Sequence, residues 1–228
     1  MKVIVTCGPS YEPIDEVRRI TNFSTGELGI LLSNALAQAG HEVLCFKGIG
    51  AICPIPLNGP RLISFTTNED LRAKLTAEST QYETGDTPAV FHAAALCDYK
   101  VQRATGADGN PLTSAKISSR QGLLTLTLEP LPKLITELRA LFPRGRIVGW
   151  KYELEGSRED VLAAGRRQMQ EAASDACVVN GAAVGPGFGF CLPGAAPIHC
   201  ADKEHLCQTL VQWLEFQNHG IKRTTASS

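Results

Sequence analysis

Arg18, Asn22, Ser24 and Thr25 crowd the end of one polar stretch, just ahead of a helical run. A guanidinium suits phosphate or carboxylate through its planar fork. The Asn22 carboxamide can hold a polar intermediate by both donating and accepting. The hydroxyls of Ser24 and Thr25 can cap the helix, and free N–H groups at a helix start receive anions. Capping and ligand binding are compatible. Gly8, Pro9 and Ser10 end the preceding strand with little bulk, so a nucleotide phosphate could approach the backbone there. An ordinary Gly-Pro turn reads the same way. Glu27, in the first helical turn, favours the helix dipole and is expected to point away from any phosphate.

Later segments add further groups. Ala94 belongs to a run of small residues at a strand end, against which a flat ligand could lie. Asp98 follows it, as a ligand for a ribose hydroxyl pair or as a turn residue. His92 lies inside the strand and reads as a core histidine. Lys116, beside Ser118 and Ser119, is a cation that could close over a triphosphate or simply be solvated. Trp150 ends a strand, to stack on a base or to fill the core. Asn180 and Phe188 flank a glycine-rich stretch and could line the base or ribose end. No residue set reads as a resident metal site, and none of the eight cysteines falls at CxxC spacing.

The elements that must position these groups alternate along the chain. Residues 1–5 (MKVIV) read as a buried strand. Leu28, Leu31, Leu32, Ala35, Leu36 and Ala39 then recur at helical spacing, with Gly40 as a stop. Further strands are expected at 41–46, 61–65, 89–96, 146–150 and 175–179. Helices are expected from a cap at Thr66 or Asn68 to about 79, at 133–142, from a Ser157 cap to about 173, and at 201–216. This order argues for an α/β fold with a doubly wound, mostly parallel, Rossmann-like sheet. Ligands then bind beyond the carboxyl ends of the strands. The loops at 7–25, 48–56, 97–116, 151–156 and 180–194 are therefore expected on one rim. Residues 99–129 interrupt the pattern. Their Leu/Thr alternation at 123–129 predicts an inserted flap with one or two antiparallel strands. The domain is expected to span 1–217, with a short last strand at 196–200 and a polar tail at 218–228.

Composition narrows the function. The 228 residues are 43% hydrophobic with a net charge of −1, enough for one sizeable core. That balance gives no charge-based case for nucleic acid or a membrane surface. No apolar run approaches the ~20 residues of a bilayer span, and no signal-peptide pattern opens the chain. Reduced, buried thiols and a cytoplasmic location are expected.

The motifs GPSYEPID, VRRITNFSTG, AAALCDYK, KISS, LTLTLEPLPKLITEL, IVGWKYELE and VVNG occur in this order. Together they resemble the phosphopantothenate–cysteine ligase family over about residues 1–215. The resemblance implies a ligase of coenzyme A biosynthesis that joins 4′-phosphopantothenate to cysteine. CTP or ATP with Mg²⁺ activates the carboxylate as an acyl-nucleotide. The family's motif asparagine, motif arginine and flap lysine fall on Asn22, Arg18 and Lys116, and its ribose-binding aspartate falls on Asp98. Typical bacterial members read Lys-Ile-Lys-Lys where this chain has Lys116-Ile117-Ser118-Ser119, which together with Asn22-Phe23-Ser24 and Lys151 looks closer to the eukaryotic-type pattern, and many bacterial members read Ser-Gly-Lys where it has Thr25-Gly26-Glu27. A stand-alone homodimer acting on small molecules is expected, without the fused flavin domain, nucleic acid or membrane. A non-catalytic nucleotide-binding relative is the first alternative. An NAD(P)-dependent reductase is the second, opposed by the missing GxGxxG.

Overall fold

The first strand, β1 (Lys2–Cys7), is buried along nearly its whole length, as befits a central parallel strand covered on both faces. The computed structural model describes residues 1–82 and 87–225. After β1 come a short hairpin, β2 (Tyr11–Pro13) and β3 (Arg19–Thr21), helix α1 (Glu27–Gln38), β4 (Glu42–Gly48), β5 (Arg61–Phe65) and α2 (Asn68–Ser79). Next are β6 (Ala89–His92), the ribbon strands β7 (Tyr99–Thr105) and β8 (Thr125–Pro130), α3 (Leu138–Leu141) and β9 (Arg146–Tyr152). The described chain finishes with α4 (Arg158–Glu171), β10 (Ala176–Asn180), β11 (Phe188–Cys191), β12 (Ile198–Cys200) and α5 (Lys203–Thr225).

Eight strands form one sheet in the order β12-β11-β10-β9-β6-β1-β4-β5. All neighbouring pairs from β10 to β5 are parallel, and β11 is antiparallel to both its neighbours. From β1 the chain winds outward through β4 and β5, then crosses back to β6 on the other side of β1. The switch in winding direction therefore falls between β1 and β6, where such sheets open a ligand crevice. On one face Val5, Phe91, Val148 and Val178 pack against Leu32 and Leu36 of α1 and Leu206, Leu210 and Leu214 of α5. On the other, Ile4, Val90 and Ile147 meet Leu71 and Leu75 of α2 and Leu138 of α3. Val161 and Met169 bring α4 down on Cys177 and Val179. All eight cysteines are free thiols, and only Cys53 among them is not fully buried.

The alternation was legible, but several details differ from the expectation. The opening loop contains the β2–β3 hairpin. The helix expected at 133–142 is a 3-10 turn followed by the short α3. Pro132 and Pro143 bracket that segment, and so short a run gains little from helical cooperativity. The glycine-rich stretch expected as a loop contains β11. Gly189 sits within that strand because a Cβ there would lie 2.8 Å from Val179. The cap of α2 is Thr67, whose side chain accepts the Asp70 N–H, not Thr66 or Asn68. Helix α5 continues past Phe216 to Thr225, and residues 83–86 and 226–228 lie outside the described residues.

Helix α1 rests on β1 with almost no space between them. A Cβ on Gly29 would overlap the Cys7 Cβ. Alanine gains about 1 kcal/mol over glycine in helix propensity, yet overpacking a core costs ~1–3 kcal/mol. Here the obstructing atom is anchored on a central strand. Gly29→Ala is therefore expected to lower the unfolding free energy by about 1–2 kcal/mol, read by urea titration; an unchanged or higher midpoint contradicts this packing account.

Candidate active site

The crevice at the switch point is a cavity of about 940 Å³. Its floor is backbone. Gly8 ends β1 and Gly26 caps α1, each at φ 76°, a conformation that disfavours any side chain. A Cβ on Gly8 would come within 2.7 Å of the Ala51 Cβ, and one on Gly26 within 3.3 Å of the Gly8 Cα. Three chain segments thus meet here with only the Ala51 methyl between them. Gly26 offers no side-chain cap, so Ser24 does not close the helix start. Thr25 does so only through a 3.3 Å bond from the Glu27 N–H to its Oγ1. The first-turn amides have no partner within the helix itself, and they border the cavity.

The facing wall is the chain leaving β6. Ala95 N–H donates to Gly8 O at 3.0 Å and Ala93 N–H to Thr6 O at 3.1 Å, extending the β1–β6 pairing beyond both strands. Ala94 lines the cavity between them. Asn22 Nδ2 donates to Leu96 O at 2.8 Å, tying the end of β3 to this wall and leaving the Asn22 carboxamide oxygen available. Beneath it, the Thr6 hydroxyl takes the Ala94 N–H at 3.3 Å and pairs with His92 Nδ1 at 2.8 Å. His92 fulfils its core reading and also lines the cavity. Burial pushes its imidazole down to about 4, so it is neutral at neutral pH.

Of the other sequence candidates, Ser24, Thr25, Asp98, Trp150, Asn180 and Phe188 also line this cavity. Trp150 packs against the core cluster, as its core reading expects, and also lines the cavity. Its indole Nε1 is buried without a hydrogen-bond partner. Asp98 is engaged with Lys133 in an ion pair. Ser10 is corrected to a structural role. It is fully buried, donates to Asn68 Oδ1 at 2.6 Å and accepts the Cys97 N–H at 2.8 Å. Pro9 is buried and borders a smaller neighbouring cavity of about 370 Å³. Arg18 and Lys116 are not in the wall of the large cavity. Arg18 is bound to Asp15, and its guanidinium holds the Asp15 carboxyl well below the usual carboxylate range.

Sequence reasoning did not place three lysines that line the cavity. Lys133 pairs with Asp98, Lys203 with Glu27, and Lys151 with Glu153 at 2.9 Å. In sequence each is an ordinary polar residue at an element boundary, and only the fold brings them to one rim. These pairs are substantially exposed, so each is worth at most ~1 kcal/mol. An incoming polyanion can therefore recruit the lysines at little cost.

A family model described as "DNA/pantothenate metabolism flavoprotein C-terminal domain" matches residues 1–204. The chain belongs to that family. A curated relative, the coenzyme A biosynthesis bifunctional protein CoaBC of Thermococcus kodakarensis, is 32% identical over 181 residues, covering 78% of this chain and 41% of the relative. The chain thus spans less than half that protein's length. The flavoprotein structure from Streptococcus pneumoniae superposes with a TM-score of 0.82 at 24% identity, covering 95% of this chain and 99% of that one. A Cab2 variant in complex with phosphopantothenate-cysteine gives 0.73 at 16% identity, covering 97% and 88%. The family's fold is therefore the doubly wound sheet described above.

The buried imidazole makes a pH prediction. Unfolded histidine titrates near 6.5, so below that pH the unfolded chain takes up a proton that folded His92 refuses until about pH 4. His92's contribution to stability is complete above ~6.5 and falls as pH drops toward 4, by up to ~1.4 kcal/mol per pH unit. In urea titrations at pH 7 and 4.5, His92→Gln is expected to lose less stability on acidification than the parent chain. An equal or larger loss contradicts the assignment.

Proposed function

We propose that this chain joins 4′-phosphopantothenate to the amine of cysteine through an acyl-nucleotide, a step of coenzyme A biosynthesis. The observation that carries the reading is Asn22, the motif asparagine of V-R-R-I-T-N-F-S-T-G, bridging from the end of β3 to the β6 wall of the cavity. Family membership over residues 1–204 supports it.

A carboxylate is a poor electrophile until one oxygen becomes part of a good leaving group. In the first step a 4′-phosphopantothenate carboxylate oxygen attacks the α-phosphorus of CTP or ATP. The P–O bond to the β-phosphate breaks and pyrophosphate leaves. In the second step the cysteine amine attacks the acyl carbon, the C–O bond to the nucleotide breaks, and the nucleoside monophosphate departs. The amine loses a proton. The protein's contribution is to position and to stabilise charge. The bare backbone at Gly8 and Gly26 and the first turn of α1 suit a phosphoryl group. Trp150, Ala94 and Phe188 offer flat apolar surface for the base, and Asp98 and Asn180 polar contacts for the ribose. The Asn22 carboxamide oxygen can accept from the attacking amine. Lys116 supplies a positive charge from the flap, and Ser24 and Thr25 offer hydroxyls to the substrate.

Mg²⁺ fits this scheme as a companion of the triphosphate, whose oxygens suit a hard cation. Among the described residues no group of three or more His, Cys, Asp or Glu could hold a metal ion. A homodimer through the β7–β8 ribbon belongs to the same proposal, supported by the exposed Tyr99, Leu123 and Leu128. So does a cytoplasmic location; among the described residues no helix is long and apolar enough to cross a membrane.

The test supplies 4′-phosphopantothenate, cysteine, Mg²⁺ and either CTP or ATP, and follows pyrophosphate and ligated product. Product with one nucleotide supports the ligase and fixes its preference. Binding of a nucleotide without product by folded protein would favour a non-catalytic relative. Asn22→Ala is expected to fold normally and to lose at least ~100-fold in product formation, as expected when a positioning contact is removed. Turnover at the parent rate removes Asn22 from the mechanism.

A further inference from the structure

We infer that His92 and Gln168 read the edge of the nucleotide's base, selecting one that carries an exocyclic amine beside a ring acceptor, as cytosine and adenine do. The inference rests on the ligase reading for the presence of a nucleoside triphosphate in this cavity, and it names the side chains that choose the base. Both side chains line the cavity.

Thr6, His92 and Gly149 stand abreast on β1, β6 and β9. Side chains alternate faces along a strand. Two positions back lie Ile4, Val90 and Ile147, which pack under α2 and α3, so Thr6, His92 and Gly149 face that same side. Thr6 is fully buried, and its hydroxyl accepts the Ala94 N–H at 3.3 Å. The hydroxyl proton needs an acceptor of its own. Among the described residues that acceptor is His92 Nδ1, at 2.8 Å. Burial keeps the imidazole neutral at neutral pH, so its single proton sits on Nε2. Nε2 has no hydrogen-bond partner among the described residues, and the ring borders the cavity. His92 therefore presents one oriented N–H donor, held from behind by β1.

Gln168 supplies the matching acceptor, reaching over β9 from α4. Gly149 has no side chain to hold it off: a Cβ there would lie 2.6 Å from Gln168 Nε2. Nε2 donates to Trp150 O at 3.2 Å and to Cys177 Sγ at 3.6 Å. Only the amide nitrogen can face a carbonyl oxygen as a donor, so the orientation of the carboxamide is fixed. Both Nε2 protons are in use, and Oε1 has no partner among the described residues. A base lying against Trp150 and Ala94 would thus meet a donor from His92 and an acceptor from Gln168, on either side of bare Gly149. An amino base offers a ring-nitrogen acceptor next to an N–H donor. A keto base, uracil or guanine, offers the reverse order. With its ribose held at Asp98 and Asn180, the base cannot turn over to restore the match.

The experiment titrates the chain, with Mg²⁺, against CTP, UTP, ATP, GTP and inorganic tripolyphosphate in a calorimeter. Nitrogen NMR of the histidine-labelled chain reads the tautomer of His92, assigned by its loss in His92→Gln. The free chain is expected to carry the proton on Nε2. CTP should bind at least ~10-fold tighter than UTP, or ATP at least ~10-fold tighter than GTP. His92→Ala and Gln168→Leu should each weaken the preferred nucleotide at least ~10-fold and erase the preference, while tripolyphosphate affinity changes less than ~2-fold. His92→Gln, which can place an amide N–H near the same point, should lose less than His92→Ala. Equal affinity for all four nucleotides, no nucleotide binding, an equal loss of tripolyphosphate affinity, or a proton on Nδ1 would overturn the inference. If His92→Ala does not fold, Gln168→Leu and the tautomer still decide. Selective nucleotide binding without product would sink the ligase reading and leave the base contacts standing; product without base selectivity would do the reverse.

Discussion

Helix α1 and strand β1 meet backbone to backbone, and the candidate site depends on that closeness. Gly29 sits over Cys7, and Gly26 over Gly8 beside Ala51. Dispersion attraction falls away steeply with small gaps, so a side chain at any of these points would lift the helix and weaken the contact along its length. The approach also gives the cavity a floor of peptide groups. A helix displaced by one side chain would still bury its apolar face, but its first turn would no longer border the crevice between β1 and β6. Packing and ligand binding thus make the same demand on the same glycines.

The charged groups around the crevice fall into two classes with different physics. Lys133, Lys151 and Lys203 are paired with carboxylates in exposed settings. Such pairs are weak and exchangeable, which suits a surface that must receive and release anions. The Asp15–Arg18 pair is different: its carboxylate is nearly inaccessible and every bond it makes is to a fixed donor. Breaking it would leave donors from two loops unsatisfied. Exposure therefore separates the ionic contacts that can change partners from those that hold the architecture.

The sheet was legible in the sequence because buried parallel strands read as short apolar runs: MKVIV, RIVGW and the first half of AVFHAAAL each became a central strand, the last ending at His92 rather than Leu96. Ser157 was legible as a helix cap, and it forms a full capping box with Asp160. Strand β11 was hidden because its glycine, required by the packing of Val179, has low strand propensity. The motif residues Asn22, Asp98 and Trp150, far apart in sequence, line one cavity. The burial of Ser10 and the partners of Arg18 were not legible. Both depend on contacts with residues far along the chain, and no local pattern reports a hydrogen bond to a loop a hundred positions away. The cation set of the crevice was hidden for the same reason.

The last helix has a consequence for how the molecule is made. Helix α5 packs on α1 through Leu206, Leu210 and Leu214, and Lys203 at its start reaches Glu27 beside the cavity. During synthesis, β1 and α1 emerge early, and chains fold as their segments become available. The apolar face of α1 must then wait, partly uncovered, for a partner encoded near the other end of the described chain. The crevice is completed at the same moment. Nascent chains would thus carry the asparagine and glycine motif long before they could hold a ligand, and chaperone dependence would centre on this waiting face.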